Sequence, residues 1–323
     1  MIDANEDTMT KITRRDAIKL MGSAAATALL TGCDSVSAPS AQTGKKMATK
    51  TTATRMPAVF LPHGGGPWPL MNTAAFGANN GYDGLTAYLK QLKMEVPAQP
   101  KAVLVVSAHW EAAVPTVMTS NKPPMFYDYS GFPPETYEFE WPAPGEPEVA
   151  QLVRDRLEKA GFATAANAER GFDHGTFVPM MVTYPGAEMP TFQLSLKAGL
   201  DPLEHLKIGR ALQPLRDEGV FIVGSGMSYH NLRMLIRGGD PQKLRDDSLA
   251  FDDWLHAAVT ADATRMETAL VEWEKAPKAR ESHPRAEHLL PLMVVAGAAG
   301  DDVGTTPYRE KVIGAHVSAV QFG

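Results

Sequence analysis

Short apolar runs recur along the chain at Ala58–Leu61, Ala102–Ala108, Thr116–Thr119, Thr191–Leu196, Val220–Val223 and His316–Phe322. They are rich in β-branched and aromatic residues and barely alternate with polar ones, which predicts strands buried on both faces. Between them the apolar spacing shifts to three and four residues. Pro147–Ala160 puts Val149, Leu152, Val153 and Leu157 on one face and stops at Gly161, so it predicts a helix. Pro202–Arg216, Leu244–Ala261, Arg265–Lys275 and Arg285–Ala298 carry the same signal. The alternation predicts an α/β fold: a mixed central β-sheet covered by helices on both faces, in a single domain over 57–323. The stretch Asn121–Gly145 breaks the pattern. It is rich in Pro, Tyr and Phe, and a connection of that length is expected to be ordered and functional.

The first 56 residues lack this patterning. Arg14-Arg15 precede a mild apolar run from Leu20 to Leu30, which is too short to span a membrane. A basic segment followed by a short apolar one predicts an export signal of the twin-arginine type over residues 1–32. It closes on Leu30-Thr31-Gly32-Cys33, which resembles a bacterial lipobox and makes Cys33 the expected lipidation site. Residues 33–56, rich in Ser, Thr, Ala and Lys, are expected to be a flexible tether. The expected location is therefore periplasmic or on the cell envelope, with the membrane reached only through a lipidated Cys33.

Composition narrows the chemistry. The net charge is −6 with no dense basic run, which argues against nucleic acid as a partner. Cys33 is the only cysteine, so any metal in the body must be held by imidazoles or carboxylates. Nine histidines are present, and their placement is the informative feature. His63 follows the first strand and opens a Gly64-Gly65-Gly66 turn. His109 ends the second strand. His230 follows the Val220–Val223 strand and its Gly224-Ser225-Gly226 turn. In open α/β sheets the carboxyl ends of the strands form the ligand crevice, so three strands delivering imidazoles there predict a metal site. Neutral imidazoles suit Zn, Fe, Cu or Ni. His174, in Asp173-His174-Gly175, is a fourth candidate. His205, His256 and His316 lack such turns and read as structural. The glycine turns match neither a Walker nor a Rossmann motif, and Gly-x-Ser-x-Gly is absent, which disfavours a serine hydrolase.

Several segments together are similar to the DOPA-dioxygenase type of class III extradiol aromatic ring-opening dioxygenases. They are Pro62-His63-Gly64-Gly65-Gly66-Pro67, Ser107-Ala108-His109-Trp110-Glu111, Tyr127-Asp128-Tyr129-Ser130-Gly131-Phe132-Pro133, Asp173-His174-Gly175-Thr176-Phe177-Val178-Pro179, Gly224-Ser225-Gly226 through His230-Asn231, and His283-Pro284 with Glu287-His288. The resemblance spans 57–323 and implies a non-haem metal-dependent enzyme that inserts O2 into a catechol-like aromatic diol and yields a ring-opened semialdehyde. It implies His63, His109 and His230 as ligands of one Fe(II) or Zn(II) per chain, with His174 as the acid–base group. Trp110, Tyr127 and Tyr129 are candidates to stack on the substrate ring. Glu111 is a candidate ligand or a carboxylate orienting a ligand, and His283 and His288 are candidate contacts to the substrate or the ligands. Two other readings stay open on the residues alone: a zinc hydrolase on the same imidazoles, and a non-catalytic lipoprotein that binds metal or catechol. An anionic substrate would need Arg233, Arg280 or Arg285 at the site.

Overall fold

The computed structural model describes residues 54–71 and 81–323. The export segment, Cys33 and the tether up to residue 53 lie outside the described residues. Eight strands form one sheet: β1 (Ala58–Pro62), β2 (Ala102–Ala112), β3 (Thr116–Met118), β4 (Ala165–Asn167), β5 (Thr191–Lys197), β6 (Val220–Gly226), β7 (Gly304–Val312) and β8 (Ala315–Phe322). Their order is β4-β3-β5-β2-β6-β1-β8-β7. The central four, β5-β2-β6-β1, run parallel, while β3 meets β5 and β8 meets β1 antiparallel. The sheet is therefore mixed. Every residue of β1 and β6 is buried, as strands sandwiched between helices require. The helix Leu290–Ala299 is buried along its whole length.

The departures from the expected elements have local causes. The helix expected over Pro202–Arg216 is two, Pro202–Leu212 and Pro214–Asp217. Pro214 has no N–H to give to the carbonyl four residues back, so the first helix ends there. The helix expected from Arg285 begins only at Leu290. The carbonyl of His288 accepts instead from the N–H of Met227 at 3.0 Å, which ties the segment before the helix to the end of β6. His288 thus lies in a turn and not, as expected, within a helix. His109 does not end its strand either, because β2 continues to Ala112. Its register against β5 shifts between Ser107 and Glu111, so the usual side-chain alternation does not carry through. β7 carries no apolar run because it is an edge strand with mostly exposed side chains.

One buried cation binds the sheet's periphery together. Arg216, fully buried, donates to the carbonyls of Met56 (2.7 Å), Ala298 (3.0 Å), Ala299 (3.1 Å) and Phe322 (2.9 Å), and pairs with Asp302 at 2.8 Å. It joins the entry to β1, the end of a core helix and the end of β8. Arg216→Met strands four carbonyls and is expected to cost about 3–5 kcal/mol, read as a lowered denaturation midpoint.

Candidate metal centre

β1, β6 and β2 are adjacent and parallel, so their carboxyl ends open on one crevice. His63 is the residue after β1, and its N–H donates to Gly226 O at 3.1 Å. His230 lies four residues beyond β6, where its N–H donates to Ser282 O at 2.9 Å. His174 is the first residue of the helix His174–Thr183, following Asp173. The Asp173 carboxylate accepts from Ser107 (2.8 Å), Arg170 (2.8 Å) and Gln193 (2.6 Å). That web fixes the helix start against β2 and β5. His63, His109, His174, His230 and His288 all line one cavity of about 490 Å³.

Their nitrogens converge. His63 Nε2 and His109 Nε2 are 3.1 Å apart, and His109 Nε2 and His288 Nε2 3.2 Å. Ligand atoms of His63, His109 and His174 lie within 4.8 Å of one another, as do those of His230, Glu287 and His288. The His230 and His288 rings stack at 3.3 Å between centroids.

Each opposite nitrogen is held by an oxygen. Ser225 Oγ donates its single proton to Gly175 O, so toward His63 Nδ1, 3.0 Å away, it accepts. This fixes the His63 proton on Nδ1 and leaves Nε2 bare. His174 Nδ1 donates to Asp128 Oδ1 at 2.8 Å, and His288 Nδ1 to Glu287 Oε1 at 3.0 Å. His109 Nδ1 lies 3.4 Å from Asp128 Oδ2, and His230 Nδ1 3.4 Å from Glu287 Oε1. Two carboxylates thus orient four rings, an arrangement that sets both tautomer and aim.

Electrostatics agree with neutral rings. Burial, then the neighbouring imidazoles, push His63 and His109 well below the usual histidine range. Burial chiefly pushes His288 down to about 3. Burial alone would raise the Asp128 and Glu287 carboxyls, but the hydrogen bonds they accept from the histidines outweigh it and hold both below the usual carboxylate range. Glu287 is also 3.3 Å from Arg285 Nη1.

Bare nitrogens facing one another at 3.1–3.2 Å repel unless a cation stands between them. A tetrahedral ion with imidazole donors at ~2.0–2.1 Å sets those donors ~3.3–3.4 Å apart, so the cluster fits a transition metal. Ser225→Ala removes the acceptor that aims His63, and is expected to weaken metal binding about 10–100-fold with the fold retained, measured by chelator competition.

The remaining expected residues divide. Tyr129 lines the cavity, its hydroxyl donating to Thr136 O at 2.5 Å and its ring edge-on to His174 at 5.9 Å. Tyr127 does not line it and donates to Phe139 O at 2.6 Å. Trp110 is buried outside it, beneath the Arg170 guanidinium. Glu111 pairs with Arg285, which also lies 3.3 Å from Glu287, and is neither on the cavity lining nor in a ligand cluster among the described residues. His283 is fully buried, bonded through Nε2 to Ser228 O at 2.9 Å and set edge-on to Phe251. It braces the segment that carries His230 and reaches no cavity wall. His205 and His256 bond to Asp201 O and Thr306 Oγ1, as structural residues do. Sequence reasoning assigned no role to Asp128, Glu287 or Ser225. The first two flank residues it did single out, which was the available signal.

Comparison with known proteins gives these observations a family. Residues 57–322 match the family described as the catalytic LigB subunit of aromatic ring-opening dioxygenase. The chain is 34% identical over 274 residues to the 4,5-DOPA dioxygenase extradiol of Escherichia coli K12, covering 84% of this chain and 96% of that protein. It is 41% identical over 212 residues to the 4,5-DOPA dioxygenase extradiol of Beta vulgaris, covering 63% and 75%. The crystal structure of an uncharacterized Escherichia coli K12 protein superposes with a TM-score of 0.67 at 32% identity, over 83% of this chain and 100% of that one. With its imidazole cluster gathered in the crevice at the carboxyl side of three adjacent parallel strands, the chain belongs to the LigB family of metal-dependent extradiol aromatic ring-opening dioxygenases.

Proposed function

We propose that the ion is Fe(II), one per chain, held by His63, His109 and His230, with His288 stacked on His230 as the neighbouring donor and His174 as the acid–base group. The convergence of the Nε2 atoms of His63, His109 and His288 on a cavity that His230, stacked on His288, also lines carries this reading. When bound, Fe(II) would supply adjacent positions for the two diol oxygens and for O2, and the electron exchange with O2 that redox-inert Zn(II) lacks.

The chain's own residues do the rest. His174, held through Nδ1 by Asp128, takes one proton from a diol hydroxyl and later returns it. The Asp128 carboxylate stabilises the imidazolium in between. Tyr129 and Phe132 flank the ring, and the apolar walls keep bulk water from the reacting carbons. The carbon–carbon bond beside the diol breaks, and both oxygen atoms end in the product, one in a carboxyl group and one in an aldehyde. The relatives' name makes DOPA the first catechol to try.

The test is oxygen uptake by anaerobically iron-loaded protein across a catechol panel. One O2 consumed per catechol, with a yellow ring-opened product, is expected. Fully loaded protein that consumes no oxygen across the panel contradicts the proposal.

The export reading joins the proposal on the strength of Arg14-Arg15 and Leu30-Thr31-Gly32-Cys33. Among the described residues no helix is long and apolar enough to cross a membrane. Labelled fatty acid incorporated into the wild-type chain but not into Cys33→Ser would support it, and equal labelling of both would contradict it.

A further inference from the structure

We infer that the cavity selects catechols bearing a bulky, uncharged apolar substituent and discriminates against those carrying a carboxylate. The inference rests on the ring-opening reading and narrows its substrate class. Among the described residues, the cavity wall contains no Lys, Arg, Asp or Glu. The undescribed stretch 72–80 contains none in its sequence either. Of the cations available to answer a substrate carboxylate, Arg280 is paired with Glu274, and Arg285 is shared between Glu111 and Glu287. Arg233, Arg237 and Lys311 are exposed and lie outside the lining. A substrate carboxylate would thus give up its hydration for walls that offer no counter-charge.

The walls offer apolar surface instead, Phe132, Val317, Leu235 and Ile313 among it. At the mouth, Leu232 and Ile236 line the cavity while remaining 51% and 72% exposed. Ile313 adds a second, independent observation. The turn between β7 and β8 has positive φ at both central residues, 48° at Ile313 and 86° at Gly314. Such turns favour Asn-Gly, and a β-branched residue there is strained. The strained position places an apolar side chain on the cavity wall, where Asn would fold more easily. The cavity, at about 490 Å³, holds far more than an unsubstituted catechol ring.

The test compares two near-isosteric probes on iron-loaded wild-type protein: 4-(3-methylbutyl)catechol and 3-(3,4-dihydroxyphenyl)propanoate, with DOPA alongside. Steady-state oxygen uptake and anaerobic equilibrium binding are both read. The alkylcatechol is expected to exceed both carboxylates at least 30-fold in kcat/KM and to bind correspondingly tighter. Ile313→Asn is expected to raise the denaturation midpoint while lowering kcat/KM for the alkylcatechol about 5–10-fold. Equal or reversed preference, with turnover intact, overturns the substrate class and leaves ring opening standing. A carboxylate preference abolished by Arg233→Ala overturns it in the same way, by showing that a cation at the mouth recruits the substrate. Preferential anaerobic binding of the alkylcatechol with no turnover of any probe supports the selectivity and sinks the ring-opening reading. Absence of binding by all three overturns the inference.

Discussion

His63→Ala is expected to lower bound iron from about one to below about 0.1 per chain and to reduce ring opening at least about 10⁴-fold. The fold should survive, because His63 follows β1 and contributes no apolar packing to the sheet, while the five residues of β1 itself remain buried. Two consequences of the loss compound. The cluster loses the one imidazole whose tautomer is fixed by Ser225, and His109 Nε2 loses its partner at 3.1 Å. Without the ion the diol and O2 have nothing to hold them together, so most of the rate enhancement disappears with it. Metal analysis of the anaerobically purified variant, beside its circular dichroism, checks this. Retention of stoichiometric iron by His63→Ala would show that the nitrogen cluster is not the metal site.

His174→Gln carries the second large effect, expected as a fall in kcat of about 10²–10⁴-fold with bound iron unchanged. The two measurements separate roles that geometry brings close. Ligand atoms of His174 lie within 4.8 Å of those of His63 and His109, so proximity alone permits either ligation or proton transfer. Its environment favours the second. Both the backbone N–H and Nδ1 of His174 donate to the same Asp128 oxygen at 2.8 Å, which pins the ring and supplies the carboxylate that an imidazolium needs. Asp128→Asn should reproduce a good part of the loss, since an amide stabilises the imidazolium less and permits the wrong tautomer. Loss of iron from His174→Gln would reassign it as a ligand.

Much of this was legible in the chain. The buried strands β1, β2, β5 and β6 announce themselves as continuous apolar runs, and His63, His109 and His230, within or just past the carboxyl-terminal portions of three of them, follow once parallel order is assumed. The helix His174–Thr183 gave no periodic signal, because it is buried nearly all round and contains Pro179. The edge strand β7 was invisible for the opposite reason, being polar on its exposed side chains. Within the site, spacing placed His63, His109 and His230 at one edge, and the fold brings all three to one cavity. Spacing could not place Glu111, because its partner Arg285 lies 174 positions away in the chain. Nor could it bring His288 into the cluster. That required the bond from Met227 N–H to the His288 carbonyl, made between segments some sixty positions apart in the chain.

The exposed, ion-paired periphery matters less than this interior. Pairs such as Arg265 with Asp262 or Lys275 with Glu272 sit in solvent, where water and salt screen them, and contribute little. Stability rests on the buried sheet and on Arg216, while chemistry rests on two half-buried carboxylates and one buried serine that aim the imidazoles.

An anomalous-difference map at the iron edge, from crystals grown anaerobically with Fe(II), tests the central claim most directly. A single peak about 2–2.3 Å from the Nε2 atoms of both His63 and His109 is the result predicted. A protein competent in oxygen uptake whose iron peak lies away from those two nitrogens would contradict it.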